Sequence, residues 1–293
     1  MHKAGFINII GSPNVGKSTL MNQLVGEKLS IITNKAQTTR HRIHGIVNHE
    51  DYQIVFSDTP GIVDPAYKLH ESMLDLVRTA LVDADVLLVM TEMGEKAFKN
   101  NNLLKVINEL EIPILLLINK IDVSDQEKLE ATAETWKEII PKAEMRPISA
   151  LHGFGVKELK QRIIEFLPES PPFYNKEDIS DKNERFFVSE IIREKIFIHY
   201  KKEIPYATEV TIESFKELED IIHIRAEIFV ERDTQKGILI GHEGKSLKRV
   251  GTEARKDIEK FFGKKVFLDL HVKVDKDWRT NDRKLKKYGY IQK

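Results

Sequence analysis

The octapeptide Gly-Ser-Pro-Asn-Val-Gly-Lys-Ser at residues 11–18 constrains the fold more than any other feature, because it fits the pattern G-x-x-x-x-G-K-[ST]. A short apolar run, Phe6–Ile10, precedes it, and a segment with helical spacing, Thr19–Val25, follows it. The backbone N–H groups of such a loop point at phosphate groups, and the start of the helix adds partial positive charge. We therefore expect a nucleoside triphosphate site, with Lys17 on the β- and γ-phosphates and the Ser18 hydroxyl on Mg²⁺. The loop residues expected to contact the nucleotide are Gly11, Ser12, Pro13, Asn14, Val15, Gly16, Lys17, Ser18 and Thr19.

The amino-acid composition limits the classes of protein to which this chain can belong. The chain has 293 residues, enough for two domains, and 41% of them are hydrophobic, so each domain can bury a core. Cysteine is absent, which excludes disulfides, cysteine nucleophiles and thiolate metal sites. We expect no signal peptide ahead of the loop, and the longest apolar runs, Val86–Met90 and Ile112–Ile118, are too short to span a bilayer. These features predict a soluble protein of the cytoplasm.

Apolar, strand-like runs alternate with helical patterns as far as about residue 167. This alternation predicts an α/β fold with a doubly wound, mostly parallel sheet covered by helices on both faces. A hairpin between the second and third runs would add one antiparallel edge strand. The predicted strands are Phe6–Ile10, Ile43–Asn48, Tyr52–Ser57, Val86–Met90, Ile114–Ile118 and Met145–Ile148.

The stretch Pro168-Glu169-Ser170-Pro171-Pro172 is the strongest linker signal in the chain. We expect a first domain over residues 1–168, a linker over 169–183 and a second domain over 184–293. The second domain is predicted to be α+β, with the order α-β-β-α-α-β and a basic C-terminal segment. Its predicted elements are a helix over Glu184–Tyr200, strands over Thr208–Phe215 and Ile222–Glu231, helices over 245–250 and 252–262, and a strand over Val266–Val274.

The motif Asp58-Thr59-Pro60-Gly61 follows the third predicted strand. An aspartate at the carboxyl end of a parallel strand lies at the edge where ligands bind, so Asp58 is placed to hold Mg²⁺ directly or through water. Gly61 lacks a side chain and can bring its N–H close to a γ-phosphate. We expect all four residues of this motif to contact the nucleotide.

Two more motifs follow later strands and indicate which base is bound. In Asn119-Lys120-Ile121-Asp122, the Asp122 carboxylate can accept hydrogen bonds from guanine N1–H and the 2-amino group, and the Lys120 stem can stack on the purine. Asn119 either bonds the base edge or braces the loop. Ser149-Ala150-Leu151 would supply a backbone N–H to guanine O6. Such buried pairing rejects adenine strongly and therefore predicts GTP.

Taken in this order, the motifs resemble those of the P-loop GTPases over the whole first domain. The resemblance implies GTP or GDP bound with Mg²⁺, a switch I segment over about residues 33–42 and a switch II segment over about 58–70. Thr39 matches the switch I residue that ligates Mg²⁺ and senses the γ-phosphate, with Thr38 as the alternative. The expected metal ligands are Ser18, Thr39 and Asp58.

The residue after the Asp-x-x-Gly motif is Ile62, where many signalling GTPases have a glutamine that orients the attacking water. We therefore expect the chain either to hydrolyse GTP slowly on its own or to recruit help from elsewhere. In related ribosome-assembly GTPases an asparagine at the position of Asn14 helps to hold K⁺, so Asn14 and switch I carbonyls are expected to bind K⁺ here. The alternative is that Asn14 hydrogen-bonds only within the phosphate loop. The expected catalytic residues are Lys17, Asn14 and Gly61.

The formal net charge is zero, but lysine and arginine concentrate in the last third of the chain, which predicts positive faces there. That region contains a G-x-x-G turn after an apolar, strand-like stretch that ends at Ile240. With the order α-β-β-α-α-β, the turn resembles that of a KH domain of prokaryotic topology, whose loop clamps about four nucleotides of single-stranded RNA. The expected RNA-binding residues are Ile240, Gly241, His242, Glu243, Gly244, Lys245, Lys248 and Arg249.

The whole chain resembles bacterial ribosome-associated GTPases in which a GTPase domain of the TrmE–Era–EngA type precedes a KH domain. The segments that carry the resemblance are residues 11–18, 35–42, 189–195 and 253–257. It implies binding to the single-stranded 3′ end of 16S rRNA, a role in maturation of the 30S subunit and peripheral association with the cytoplasmic face of the inner membrane. We expect a monomer.

Two alternatives of other classes remain. An ATP-using enzyme would conflict with Asp122, and an RNA-binding module with little GTP turnover would conflict with the intact Lys17, Ser18 and Asp58.

Overall fold

The computed structural model describes residues 1–98, 100–123 and 125–291 and divides the chain into two compact units. The first unit holds residues 1–66 and 70–181, and the second holds the residues from 182 onward together with residues 67–69. Each unit has its own sheet.

The first unit is built on a six-stranded sheet with the order β2-β3-β1-β4-β5-β6. β2 runs antiparallel to β3, and every other pair is parallel, which confirms the predicted doubly wound sheet with one antiparallel edge strand. The predicted strands are all present, with ends that differ by three residues or fewer. The strands are β1 (Lys3–Gly11), β2 (Ile43–Asn48), β3 (Tyr52–Asp58), β4 (Val86–Glu92), β5 (Ile114–Asn119) and β6 (Glu144–Pro147).

Five helices of eight or more residues accompany this sheet in the described part of the first unit. Strands β4 and β5 are buried along nearly their whole length, as expected for parallel strands covered on both faces. One core cluster joins their side chains to Trp136, which is fully buried. The helices are α1 (Lys17–Val25), α2 (Lys68–Val82), α3 (Asn101–Glu109), α4 (Gln126–Ile139) and α5 (Val156–Phe166).

Residues 173–181, expected to belong to a linker, lie along the β2–β3 hairpin; we call them the edge segment. The Ile46 N–H donates to the Ile179 carbonyl at 2.9 Å, and the Ser180 hydroxyl donates to the His44 carbonyl at 2.6 Å. The fully buried Gln53 accepts hydrogen bonds at Oε1 from the N–H groups of Phe173 (2.7 Å) and Tyr174 (3.0 Å). The proline-rich stretch just before this segment gave no sign of these contacts, because the partners lie more than 100 residues away in the sequence.

Replacement of Gln53 by alanine tests the role of these hydrogen bonds. Gln53→Ala leaves the N–H groups of Phe173 and Tyr174 without their acceptor, so we expect a loss of about 2–4 kcal/mol in the free energy that protects them. Hydrogen-exchange mass spectrometry of peptides from the edge segment measures this loss. Gln126→Ala removes only an exposed glutamine bonded to Glu130 and should leave exchange unchanged. Equal protection in both variants would contradict the assignment.

The second unit has a three-stranded sheet with the order β7-β8-β9, in which the first pair is antiparallel and the second parallel. The chain order α6-β7-β8-α7-α8-β9 confirms the predicted α-β-β-α-α-β topology. Apolar residues of the helices and strands form one core cluster. The elements are α6 (Glu184–His199), β7 (Glu209–Glu217), β8 (Ile221–Val230), α7 (Asp233–Ile240), α8 (Lys245–Phe262), β9 (Lys265–Val274) and a final short helix, α9 (Asp282–Lys287).

The two middle helices are not the ones expected. The stretch before the G-x-x-G turn was predicted to be strand-like but forms α7, where Gln235 Oε1 caps the helix start by accepting from the N–H groups of Glu231 and Arg232. The two helices predicted around Gly251 form the single helix α8. A Cβ at Gly251 would lie 3.2 Å from Leu270 Cδ1, so this glycine allows close packing on β9 and does not break the helix.

The C-terminal residues, predicted only as a basic segment, also bury aromatic side chains. Trp278 is fully buried, and its indole N–H donates to the Ala207 carbonyl at 3.0 Å. The Tyr290 hydroxyl donates to Glu209 Oε2 at 2.5 Å.

Within the described ranges no helix is both long and apolar enough to cross a membrane.

Candidate functional site

The phosphate loop connects β1 to α1, and its lysine is folded back onto the loop. Lys17 Nζ donates to the carbonyl oxygens of Gly11 (2.9 Å) and Ser12 (2.8 Å), and its side chain is buried. α1 begins at Lys17, so the loop meets a helix N-terminus, as the sequence predicted. The loop thus presents an ammonium group and a helix start at the same edge of the sheet.

Two glycines of the predicted motifs are required by close approach. A Cβ at Gly61 would lie 2.8 Å from the Cα and Cγ of Pro13, so only glycine lets the segment after β3 lie against the phosphate loop. Gly16 has a φ of 103°, and a Cβ there would lie 2.4 Å from Asn119 Nδ2. The three motifs at this edge of the sheet are therefore in direct contact.

The three predicted metal ligands converge. Ser18 Oγ donates to Asp58 Oδ2 at 2.6 Å and lies 2.9 Å from Thr39 Oγ1, which is itself 3.4 Å from the same carboxylate oxygen. The second carboxylate oxygen, Oδ1 of Asp58, is buried and has no hydrogen-bond partner among the described residues. Hydroxyl and carboxylate oxygens are the ligands that Mg²⁺ takes. The donor set therefore fits Mg²⁺.

The structure separates the two candidate threonines of switch I. Thr38 Oγ1 lies 2.5 Å from Thr33 Oγ1 and donates to the Lys35 carbonyl at 2.7 Å, so it is used within its own loop. Thr39 Oγ1 lies within hydrogen-bond distance of both Ser18 and Asp58. The geometry favours Thr39 as the ligand.

Burial disfavours the charged forms of Lys17 and Asp58 at this site. It lowers the pKa of the Lys17 ammonium to about 8, although the nearby Asp58 and Glu95 carboxylates oppose the shift. Burial also raises the pKa of the Asp58 carboxyl, with the Ser18 hydrogen bond and the Lys17 charge acting in the other direction. Both charged forms would be favoured by a ligand that brings phosphate and a divalent cation together.

Asn119 braces the loops, one of the two roles open to it from the sequence. Its Nδ2 donates to the Val15 carbonyl at 2.7 Å, and its Oδ1 accepts from the Ala150 N–H at 2.9 Å. The side chain is 3% exposed and is thus committed to the protein. Asn119 therefore connects three segments, which are its own loop at residues 119–122, the phosphate loop and the 149–151 turn.

Asp122 is oriented by Ser149. The Ser149 hydroxyl donates to Asp122 Oδ1 at 2.5 Å, and this hydrogen bond is the main cause that holds the pKa of Asp122 below its ordinary value. The Ser149 N–H donates to the Phe154 carbonyl, and the Ala150 N–H is taken by Asn119. Within the described ranges, the N–H of Leu151 has no hydrogen-bond partner, which leaves it as the donor for a base.

Asn14 and Ile62 are the two residues on which the expected mode of hydrolysis depends. Asn14 has a φ of 65°, and its Nδ2 lies 3.3 Å from the Asn34 carbonyl, so its side chain reaches switch I rather than bonding only within the phosphate loop. Ile62 is 3% exposed and packs in the core of the unit, while its N–H donates to the Gly11 carbonyl at 3.0 Å. Its side chain therefore takes no part in the site.

A cavity of about 640 Å³ opens between these loops. It is lined by most of the predicted motifs and also by switch I from Ile31 onward, which the sequence analysis had assigned only from residue 33. Of the residues expected to contact the nucleotide, those on its lining are Pro13, Asn14, Gly16, Lys17, Ser18, Thr19, Gly61, Asn119, Lys120, Asp122 and Leu151.

The other expected contact residues lie outside the lining. The Thr59 hydroxyl donates to the Ile9 carbonyl at 2.7 Å, and Val15 is 1% exposed, so both are supports for the loops. No motif pointed to Glu92, whose carboxylate forms an ion pair with Lys120, or to Glu95, which contacts Ser12. The predicted contact residues outside the lining are Gly11, Ser12, Val15, Asp58, Thr59, Pro60, Ser149 and Ala150.

The G-x-x-G turn of the second unit lies between α7 and α8. Gly241 has a φ of 73°, and a Cβ there would lie 2.2 Å from Ser246 Oγ, so the turn needs glycine at its first position. Ile240 is half-buried against the core cluster, whereas His242 and Glu243 are exposed at the tip. The turn can therefore present its backbone to a ligand.

The cations after the turn are exposed. Lys245 forms an ion pair with Glu243 at 2.8 Å and Arg249 with Glu253 at 3.2 Å, and both are weak surface pairs. Lys248 is exposed and forms no ion pair with any described residue. These side chains are available for a polyanion.

Family comparisons agree with these two sites. The family described as 50S ribosome-binding GTPase matches residues 6–120, and the KH domain family matches residues 203–279. The fold and the site together define a P-loop GTPase followed by a KH domain, and the chain is thus an enzyme that hydrolyses GTP.

Two solved structures are similar over the whole chain. One is Era in complex with MgGDPNP and nucleotides 1506–1542 of 16S ribosomal RNA, at 36% identity and a TM-score of 0.94, with 100% of both chains covered. The other is a single-residue variant of Aquifex aeolicus Era bound to GDP·AlF₄⁻, at 37% identity and a TM-score of 0.94, with 99% of this chain and 100% of that chain covered. The chain belongs to the Era family of GTPases.

The lowered pKa of Lys17 predicts proton uptake when a nucleotide binds. In the free protein Lys17 loses its proton as the pH rises through about 8, and phosphate groups favour the charged form, so the bound pKa is higher. At pH 8.5 we expect GDP binding to take up a proton, whereas at pH 6.5 Lys17 is already charged and contributes no uptake. Isothermal titration calorimetry in two buffers of different ionisation enthalpy measures the uptake.

Lys17→Met is the control, because it removes this titrating group. Uptake at pH 8.5 that persists in Lys17→Met would assign the proton to another group.

Proposed function

We propose that this protein is a GTP-dependent RNA-binding switch that binds the 3′ end of 16S rRNA and acts in maturation of the 30S subunit. The observation that carries the switch is the convergence of Ser18, Thr39 and Asp58, which come from the phosphate loop, switch I and the end of β3. A nucleotide with Mg²⁺ at this point would hold switch I against the phosphate loop, and loss of the γ-phosphate would release it.

The base would be read by three groups. The Asp122 carboxylate, kept ionised and oriented by Ser149, accepts from guanine N1–H and the 2-amino group. The Leu151 N–H donates to guanine O6, since its neighbours Ser149 and Ala150 are already bonded. Adenine would leave the carboxylate facing an acceptor, which supports GTP over ATP.

Hydrolysis would depend on charge stabilisation. When bound through Ser18, Thr39 and Asp58, Mg²⁺ supplies positive charge to the β- and γ-phosphates. Lys17 neutralises the same phosphates, and the Gly61 N–H, held against Pro13, donates to the γ-phosphate. The chain has no glutamine after Gly61, and Ile62 is packed in the core, so slow intrinsic turnover is part of the proposal.

We further propose that K⁺ binds between Asn14 and switch I. Asn14 is within hydrogen-bond distance of the Asn34 carbonyl, so a rotated Asn14 amide would place two oxygens together. A cation there would add positive charge where transition-state charge develops. The site draws on a side chain from one loop and a backbone carbonyl from the other.

The K⁺ proposal is tested by turnover in matched salts. We expect GTP hydrolysis about tenfold faster in KCl than in NaCl at the same ionic strength, which corresponds to about 1.4 kcal/mol of transition-state stabilisation. Asn14→Ala should lower the KCl rate to the NaCl rate, because it removes one ligand. Phosphate release under single-turnover conditions measures both.

Asn34→Ala is the matched control, because Asn34 would contribute only its backbone carbonyl. It should keep the K⁺ stimulation. Equal rates in the two salts for the unmodified protein would exclude K⁺ activation.

RNA is proposed as the ligand of the second unit. The G-x-x-G turn, with Gly241 and Gly244 both at positive φ, allows the backbone to approach sugar–phosphates, as in KH domains. The exposed Lys245, Lys248 and Arg249 would add charge. Support for the particular RNA comes from the similar Era structure, which holds nucleotides 1506–1542 of 16S ribosomal RNA and is covered along its whole length by this chain.

The switch is tested by crosslinking to a 16S rRNA 3′-end oligonucleotide. We expect higher RNA occupancy with a non-hydrolysable GTP analogue than with GDP, because only the triphosphate would order switch I. Lys248→Ala should lower RNA occupancy in both nucleotide states. It should also reduce the slope of the logarithm of the binding constant against the logarithm of the salt concentration by about 0.7, the value for one phosphate contact with a single strand.

Lys264→Ala is the matched control, because Lys264 is paired with Glu217 and lies beyond the far end of α8. It should leave occupancy unchanged. Equal occupancy with the two nucleotides would remove the switch while leaving both binding sites in place.

The remaining parts of the proposal follow from the resemblance to this family. They are a monomer located in the cytoplasm, contact with the 30S subunit through its rRNA, and peripheral association with the inner membrane. The proposal assigns the membrane contact to no particular residue.

A further inference from the structure

Glu95 lies in the loop after β4, and its carboxylate contacts the phosphate loop. One oxygen, Oε1, accepts a hydrogen bond from the Ser12 hydroxyl. The other, Oε2, accepts from the Thr91 hydroxyl at 2.7 Å. Both carboxylate oxygens are thus used, one on the nucleotide site and one on β4. No motif in the sequence pointed to this residue.

The loop that carries Glu95 is fixed by α4. The indole N–H of Trp136 donates to the Glu95 carbonyl at 2.9 Å, and the Gly94 N–H donates to Thr132 Oγ1 at 3.1 Å. Trp136 is fully buried in the core, so its indole is held by close packing on all sides. The carboxylate therefore has a defined position from which it can orient its neighbours.

Ser12 connects Glu95 to the phosphate-binding lysine. The Ser12 hydroxyl is bound by Glu95, while the Ser12 carbonyl accepts from Lys17 Nζ at 2.8 Å. A buried core residue, Trp136, is in this way linked through two side chains to the ammonium that faces the phosphates.

We propose that Glu95 is a positioning residue of the phosphate loop, which fixes Ser12 and through it the Lys17 ammonium before a nucleotide binds. The inference rests on the proposed role of Lys17 at the phosphates. A preformed loop loses less conformational entropy on binding, so its benefit appears in nucleotide affinity. Because Glu95 acts through a hydrogen bond, glutamine can replace it and alanine cannot.

The test measures GDP affinity of the full-length protein by isothermal titration calorimetry. Glu95→Ala removes the acceptor of Ser12, and we expect GDP to bind about tenfold more weakly. Glu95→Gln keeps an acceptor oxygen and removes a negative charge near the phosphates, so its affinity should equal or exceed that of the unmodified protein. A role of the negative charge itself would give the opposite result for glutamine, with a loss like that of alanine.

A double-mutant cycle identifies the route of the effect. In a Ser12→Ala background, Glu95→Ala should cause no further loss of GDP affinity, because the hydrogen bond is already absent. Thr91→Ala is the matched control, since it removes the other hydroxyl from the same carboxylate and should change affinity by less than about twofold. An equal loss in the Ser12→Ala background would show that Glu95 acts through the fold of its loop, and the proposal would be wrong.

Failure of the proposed role of Lys17 at the phosphates would give a different result from failure of the Glu95 proposal. If Lys17→Met bound GDP as tightly as the unmodified protein, the role of Lys17 at the phosphates would fail, whatever Glu95 does. Unchanged GDP affinity in Glu95→Ala, beside a strong loss in Lys17→Met, would overturn only the positioning role.

Discussion

The two hydrogen bonds of the Asn119 side chain hold the nucleotide site together. One reaches the Val15 carbonyl in the phosphate loop and the other takes the Ala150 N–H beside the base-reading turn. Since Gly16 has no side chain, the amide can pack directly against the loop. The phosphate half and the base half of the cavity thus share one buried residue. A change in either half therefore disturbs hydrogen bonds of the other half, because polar groups in a dry environment have no alternative partners.

The chemistry of the site could be predicted from the sequence where it is local. Each motif follows a strand, and the carboxyl ends of parallel strands meet at one edge, so Lys17, Asp58 and Asp122 were placed correctly relative to the sheet. Contacts between distant segments could not be predicted. Glu95 has no motif around it, and its contact with Ser12 spans 83 positions in the sequence. The choice between Thr38 and Thr39 likewise depended on how the loop folds.

In the second unit the sequence indicated the topology but assigned two of its helices wrongly. Short apolar runs such as Ile238–Ile240 suit a strand or a helix equally. The helix start is capped by Gln235, a side-chain contact that the apolar pattern does not reveal. The prediction also divided α8 into two helices, over residues 245–250 and 252–262, on either side of Gly251. Gly251 instead lies inside one continuous helix, where a Cβ would come within 3.2 Å of Leu270 Cδ1. A local side-chain cap accompanies the helix in the first case, and packing against another element accompanies it in the second.

The edge segment has a consequence for the solubility of the first unit. β2 is the outer strand of the six-stranded sheet, and a bare edge strand offers unpaired N–H and C=O groups to any other chain. Residues 178–181 occupy part of that edge through the hydrogen bonds of Ile46, His44 and Asn48. A fragment ended at the proline-rich stretch would keep the whole sheet yet expose a template for intermolecular strand pairing. To keep this edge covered and avoid aggregation, a fragment of the first unit must extend to residue 181.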